Sequence, residues 1–168
     1  WKEASDLFHT VSKEMVENRA AYLEVERKSS DLPLTLIKTG AAEGALKLLR
    51  PQYEINKKRM GIKHFNTAKK GALIAAALTL QGKNPEALKL FQSSTPILLS
   101  RSRQSNNSET ENVANTKQKR ILLESYIKLL ASIRGTNLEQ TAGIDAAAEA
   151  FRIADIARSG SVQGALAS

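Results

Sequence analysis

The sequence predicts an all-α chain, a solenoid of antiparallel helical hairpins behind a long N-terminal helix. Three observations carry that prediction. Apolar residues recur at three- and four-residue steps along most of the chain, and no stretch shows the strict alternation of a strand. Hydrophobic residues make up 42% of the 168 residues but aromatics only 5%, which favours helices packed through Ala and Leu. Thirdly, the strings TGAAEGALKLL (Thr39–Leu49) and QGKNPEALKLF (Gln81–Phe91) say nearly the same thing twice, offset by a constant 42 positions (82 − 40). Gly40, Ala45 and Leu49 of the first answer to Gly82, Ala87 and Phe91 of the second. Self-similarity at a fixed period marks stacked supersecondary units.

The elements follow in order. Residues 2–28 contain no Gly or Pro and read as one helix, with Phe8, Val11, Met15, Asn18, Tyr22 and Val25 forming a single seam that could serve an oligomerisation arm. Asp31 is the expected cap of a short helix over 32–38, with Pro33 in its first turn, and Thr39-Gly40 ends it. A helix opens near Ala42 and runs to Gly61, with a kink or a restart expected at Pro51. Asn66 or Thr67 is the expected cap of a helix over 68–80, and Gly82 to Pro85 is a tight turn into a helix over 86–100. The string RSRQSNNSETENVANT (101–116) is polar without apolar periodicity, which predicts a flexible loop. Helical spacing resumes over 117–133, turns at Gly135, and continues as an Ala-rich helix over 144–158 supported by Glu149 with Arg152 and Asp155 with Arg158. Ser159-Gly160-Ser161 then predicts an interruption and the start of a further helix. The chain is thus expected to be a single helical domain: 1–30 a long helix, 31–100 two repeat hairpins, 101–116 a loop, and 117–168 a third hairpin leading to an absent domain.

Composition narrows the function. There is no cysteine, so a disulfide framework, a thiolate zinc site and a cysteine nucleophile are excluded within this sequence. Twenty-five basic against 17 acidic residues give a net charge of +8, which favours an anionic partner or simply a basic surface. No apolar run reaches the roughly 20 residues of a membrane span, and no membrane partner is expected. The first residue is Trp1 rather than Met, which suggests a fragment whose targeting segment is missing; a cytoplasmic location is expected.

The spacing of Gly82, Ala87, Leu88 and Phe91 resembles the second-helix half of a tetratricopeptide repeat, with Ala75 and Leu78 at that family's small and bulky first-helix positions. A small residue lets two helices approach, and a large one a turn later fills the groove. Ala147, Phe151 and Ala154 read as a third copy, while Gln52 and Ser94 depart from the small apolar residue usual at their position. The 42-residue period and MGIKHFNTA (Met60–Ala68), with Gly61, His64 and Thr67, resemble the longer repeats of kinesin light chains and bacterial signalling proteins. AAAEAFRIADIARSGSVQGALAS (Ala146–Ser168) is similar to the segment joining such repeats to a CHAT domain, a caspase-like peptidase; Phe151, Arg152, Ala154, Asp155, Ser161, Val162 and Gln163 carry the likeness. The resemblance implies a non-catalytic interaction scaffold that recruits partners to, or regulates, an attached peptidase. It also implies a partner groove on first helices, here Lys69, Ala72, Ala76 and Thr79, open to a peptide or to the peptidase itself.

Catalytic alternatives are thin. His9 and His64 lack metal or acid–base partners at useful spacing; His9 reads as a surface residue and His64 as a loop-ordering one. Asp145 and Glu149 lie one helical turn apart, but Arg152 beside them reads as a charged face. No phosphate-cradling glycine loop occurs, so no cofactor and no enzyme activity is expected. The basic clusters Lys57-Lys58-Arg59, Lys63, Lys69-Lys70 and Lys117, Lys119, Arg120 offer the competing function, a basic helical domain that binds nucleic acid or another anion. Aromatic residues hardly interleave them, which disfavours nucleic acid. Oligomeric state is left open by the sequence.

Overall fold

The computed structural model describes residues 1–14, 30–101 and 109–166. Among these the chain is all-α, with no strand. Its helices are α1 (Lys2–Glu14), α2 (Asp31–Lys38), α3 (Ala42–Met60), α4 (Phe65–Leu80), α5 (Asn84–Arg101), α6 (Glu109–Ile133), α7 (Asn137–Ala142) and α8 (Ala146–Leu166). The seam expected from Met15 to Val25 lies outside the described residues, as do the side chains of Phe8, His9 and Val11.

The repeated glycines build the same turn twice. At the end of α2 the Gly40 N–H donates to the Ile37 carbonyl at 3.2 Å and the Ala41 N–H to Leu36 at 2.8 Å. At the end of α4 the Gly82 N–H donates to Thr79 at 3.1 Å and the Lys83 N–H to Leu78 at 3.0 Å. Both glycines sit in the left-handed region, φ +83° and +70°, where a Cβ would be strained, and the bonds satisfy carbonyls that a helix end leaves open. Two residues after each glycine the next helix begins, so α2/α3 and α4/α5 are antiparallel hairpins cut to one pattern.

Several boundaries differ from expectation. Ser30, not Asp31, is the residue before α2; Asp31 sits in the first turn, where its charge meets the helix dipole. α3 runs unbroken through Pro51, so no restart occurs there. His64, rather than Asn66 or Thr67, begins α4: its Nδ1 accepts from the Asn66 N–H at 3.2 Å, an N-cap made by imidazole. The loop-ordering role expected of His64 is thus observed, and the helix starts at Phe65, three residues earlier than expected. The flexible loop expected over 101–116 is helical from Glu109 onward, because no Gly or Pro stands between there and Ile133 to stop a helix of ordinary formers. α8 continues through Ser159-Gly160-Ser161, so no further helix starts there; each internal glycine costs only about 1 kcal/mol.

α4 is the centre of the molecule. It packs against α5, α3, α6 and α2, and it is buried from Thr67 to Leu78 apart from the half-buried Lys69. A helix apolar on every side is a helix covered on every side. Away from this centre, packing is between near neighbours in the chain: α1 on α2, α2 on α3, α5 on α6, and α6 on α7 and α8. Phe91 of α5 stacks on Tyr126 of α6, ring centroids 4.7 Å apart, and joins the second hairpin to the third. On the surface Arg50 of α3 meets Glu86 of α5 at 3.3 Å.

Candidate functional site

The small and bulky positions expected from the repeat are where helices meet. Ala45, Leu49, Ala75, Leu78, Ala87 and Phe91 are all fully buried. The departures have local causes. Gln52 accepts a hydrogen bond from the ammonium of Lys70, a lysine buried between α3 and α4 whose pKa is lowered by that burial and by the neighbouring Lys69. Ser94 lies against Gly71, where a Cβ on the glycine would come within 2.6 Å of the serine hydroxyl.

The third copy is displaced by one residue. Along α8 the residues packed on α6 are Ala146, Ala150, Ile153 and Ala157. Ala147 and Ala154 are only partly covered, and Phe151 is 78% exposed. The packing roles expected of Ala147, Phe151 and Ala154 therefore fall to Ala146, Ala150 and Ile153. Two alanine-bearing stripes overlap on this helix; the second runs into Arg158, whereas the first stays apolar and goes inward.

The expected groove is also corrected. Ala72 and Ala76 are 0% and 2% exposed and belong to the core, so they leave no room for a partner. The Thr79 hydroxyl donates to the carbonyl of Ala75 in its own helix at 2.9 Å. Lys69 is half-buried, its pKa lowered by desolvation against a partial counter-effect of Asp31. The unbroken apolar run from Gly71 to Leu78 was the signal that this helix has no open face.

An open surface exists elsewhere, on the α8 side. α5 and α8 diverge over α6, leaving a cleft of about 450 Å³ between Gln92, Thr95 and Pro96 on one wall and Asp145, Ala148, Glu149 and Arg152 on the other. Tyr126 forms its floor, and its phenol is pushed up to about 12, first by burial and then by the nearby Glu149 charge. The carboxylates of the far wall are engaged: Asp145 Oδ1 accepts from the Ala148 N–H at 2.8 Å and caps α8, and Glu149 takes a two-point bond from Arg152, 2.8 Å each. That is a fixed charged face rather than an acid–base pair. The wall is held in place by Glu139 of α7, an element absent from the sequence expectation. Its two carboxylate oxygens accept from the Gly135 N–H at 2.6 Å and the Ala146 N–H at 2.7 Å.

Set against protein-family models, curated proteins and solved structures, the chain matches none of them. Among the described residues no group of three His, Cys, Asp or Glu is placed to hold a metal, and no helix is long and apolar enough to cross a membrane.

Proposed function

We propose that this chain is a non-catalytic scaffold of the tetratricopeptide type, an α-solenoid whose stacked hairpins hold a protein partner. The observation that carries it is the repetition of one packing scheme with its last position left open. On α3, Leu46 is buried and Tyr53 lies against Gly71 of the following helix. Forty-two residues on (88 − 46 and 95 − 53), Leu88 and Thr95 of α5 are both buried, and α6 is the helix packed against that element. A further 59 on (147 − 88 and 154 − 95), the same positions of α8 are Ala147 and Ala154, with Phe151 standing out between them. A helix lying across two alanines and enclosing a phenylalanine would continue the scheme.

The partner in this reading is a caspase-like peptidase unit of the CHAT kind, regulated by the scaffold in a cytoplasmic setting. Phe151, Arg152 and Asp155, which carry the likeness to the segment preceding such a unit, are all exposed on α8. The test is calorimetric titration of a purified CHAT-type domain against the wild-type chain and Phe151→Asp. Binding by the wild type, weakened at least tenfold in a variant of unchanged helicity, is expected. Absent binding, or equal binding by both, rejects the proposal.

A further inference from the structure

The turn between α3 and α4 carries a surface that neither the hairpin stack nor the α8 face uses. From Ile55 to Pro85 the sequence holds no Asp or Glu, yet it holds Lys57, Lys58, Arg59 and Lys63 in its first nine residues. All four cations are exposed. Three large aliphatics share this tip and are also open to solvent: Ile55 at 45%, Met60 at 40% and Ile62 at 46%. Gly61, at φ +82°, ends α3 and turns the chain between Met60 and Ile62. Among the described residues, the carboxylate that meets this cluster is Glu54, 4.0 Å from the Lys57 ammonium.

Cations in the last turn of a helix are ordinary, because they meet the negative end of its dipole. That accounts for Lys57 to Arg59. It does not account for Lys63, which lies past the helix, nor for two aliphatic side chains at the apex. Apolar groups ringed by cations match an anionic membrane surface, where the aliphatics enter the headgroup boundary and the cations meet lipid charge. Nucleic acid would be met differently, by aromatic rings stacking on bases. The aromatics nearest this tip, Tyr53 and Phe65, are packed against the core.

We infer that the Ile55–Lys63 tip binds peripherally to anionic lipid, seating Met60 and Ile62 in the interface beneath Lys57, Lys58, Arg59 and Lys63. This is association with a surface rather than a span, and it is independent of the partner assigned to α8. Co-sedimentation with vesicles tests it, using equal parts phosphatidylserine and phosphatidylcholine against phosphatidylcholine alone. The wild-type chain should bind the anionic vesicles only. Changing Lys57, Lys58 and Arg59 to Gln together should lower the partition coefficient on the order of 100-fold, and Met60→Ser with Ile62→Ser about tenfold. All variants should keep the wild-type helicity, with only the modest loss of melting temperature expected when cations leave the last turn of α3. No preference for anionic vesicles overturns the inference. So does binding that is lost with charge but indifferent to the Met60 and Ile62 changes. Tighter binding to single-stranded oligonucleotide than to vesicles overturns it equally.

Discussion

A Cβ added at Gly71 would lie 2.6 Å from the Ser94 hydroxyl oxygen and 3.3 Å from Tyr53, so this residue sets how closely α4 approaches both α5 and α3. Gly71→Ala should therefore destabilise by roughly 1–2 kcal/mol despite the better helix propensity of alanine. Adding Ser94→Ala should return more than half of it, because the nearer obstruction is gone. Urea denaturation measures both, and a stabilised single variant would contradict the contact. Lys70 is a second buried singularity. Replacing it with Met, which keeps the stem and removes the charge, should leave stability unchanged or higher, whereas Gln52→Leu removes the acceptor beneath the ammonium and should cost about 1–3 kcal/mol. Tyr126 gives a pH signature. Its phenol ionises at about 12 in the folded chain against a reference near 10, so the unfolded chain loses this proton first. The stability it contributes is whole below pH 10 and declines as pH rises toward 12. Tyr126→Phe should flatten that decline in melting temperature; an equally steep decline would mean Tyr126 is not its source.

Among elements, α7 shows what a short insertion can hold. Glu139 bonds the backbone at the end of α6 and at the start of α8, two N–H groups with no partner in their own helices. Glu139→Ala should cost roughly 1–2 kcal/mol and speed hydrogen exchange at Gly135 and Ala146 more than at Leu88. Uniform acceleration would instead mark general loosening. The helices that could be read from the sequence are those with glycine punctuation and a one-sided stripe. Gly40 and Gly82 were legible because a left-handed cap needs glycine, and Ala45, Leu49, Ala87 and Phe91 because small and large alternate at helical spacing. α8 was misread by one residue because an Ala-rich helix offers several apolar stripes, and only contact with α6 chooses between them. The groove on α4 was misplaced because a repeat pattern shows which residues pack on the partner helix but not what covers the other side. The cleft over Tyr126 was invisible in sequence, since it arises from the divergence of two helices more than 40 positions apart (145 − 101).

At the scale of the molecule, the chain behaves as neighbours packed on neighbours around one helix that is covered over most of its length. Besides Trp1, Leu7 and Leu80, the exposed large apolar side chains among the described residues lie at two places, the basic tip after α3 and the face of Phe151 on α8. The absence of cysteine from the sequence makes a direct examination possible, because single cysteines can be placed at will. Cysteine at positions 45, 87, 146, 147 and 151 in turn, labelled with a thiol reagent under native conditions, reads the packing register of all three hairpins. Stacked copies of one hairpin require protection at 45, 87 and 146, partial labelling at 147, and labelling at 151 near the rate of the unfolded chain. Fast labelling at 146 with protection at 151, or reactivity at 45 and 87, would contradict the repeated packing from which the scaffold is proposed.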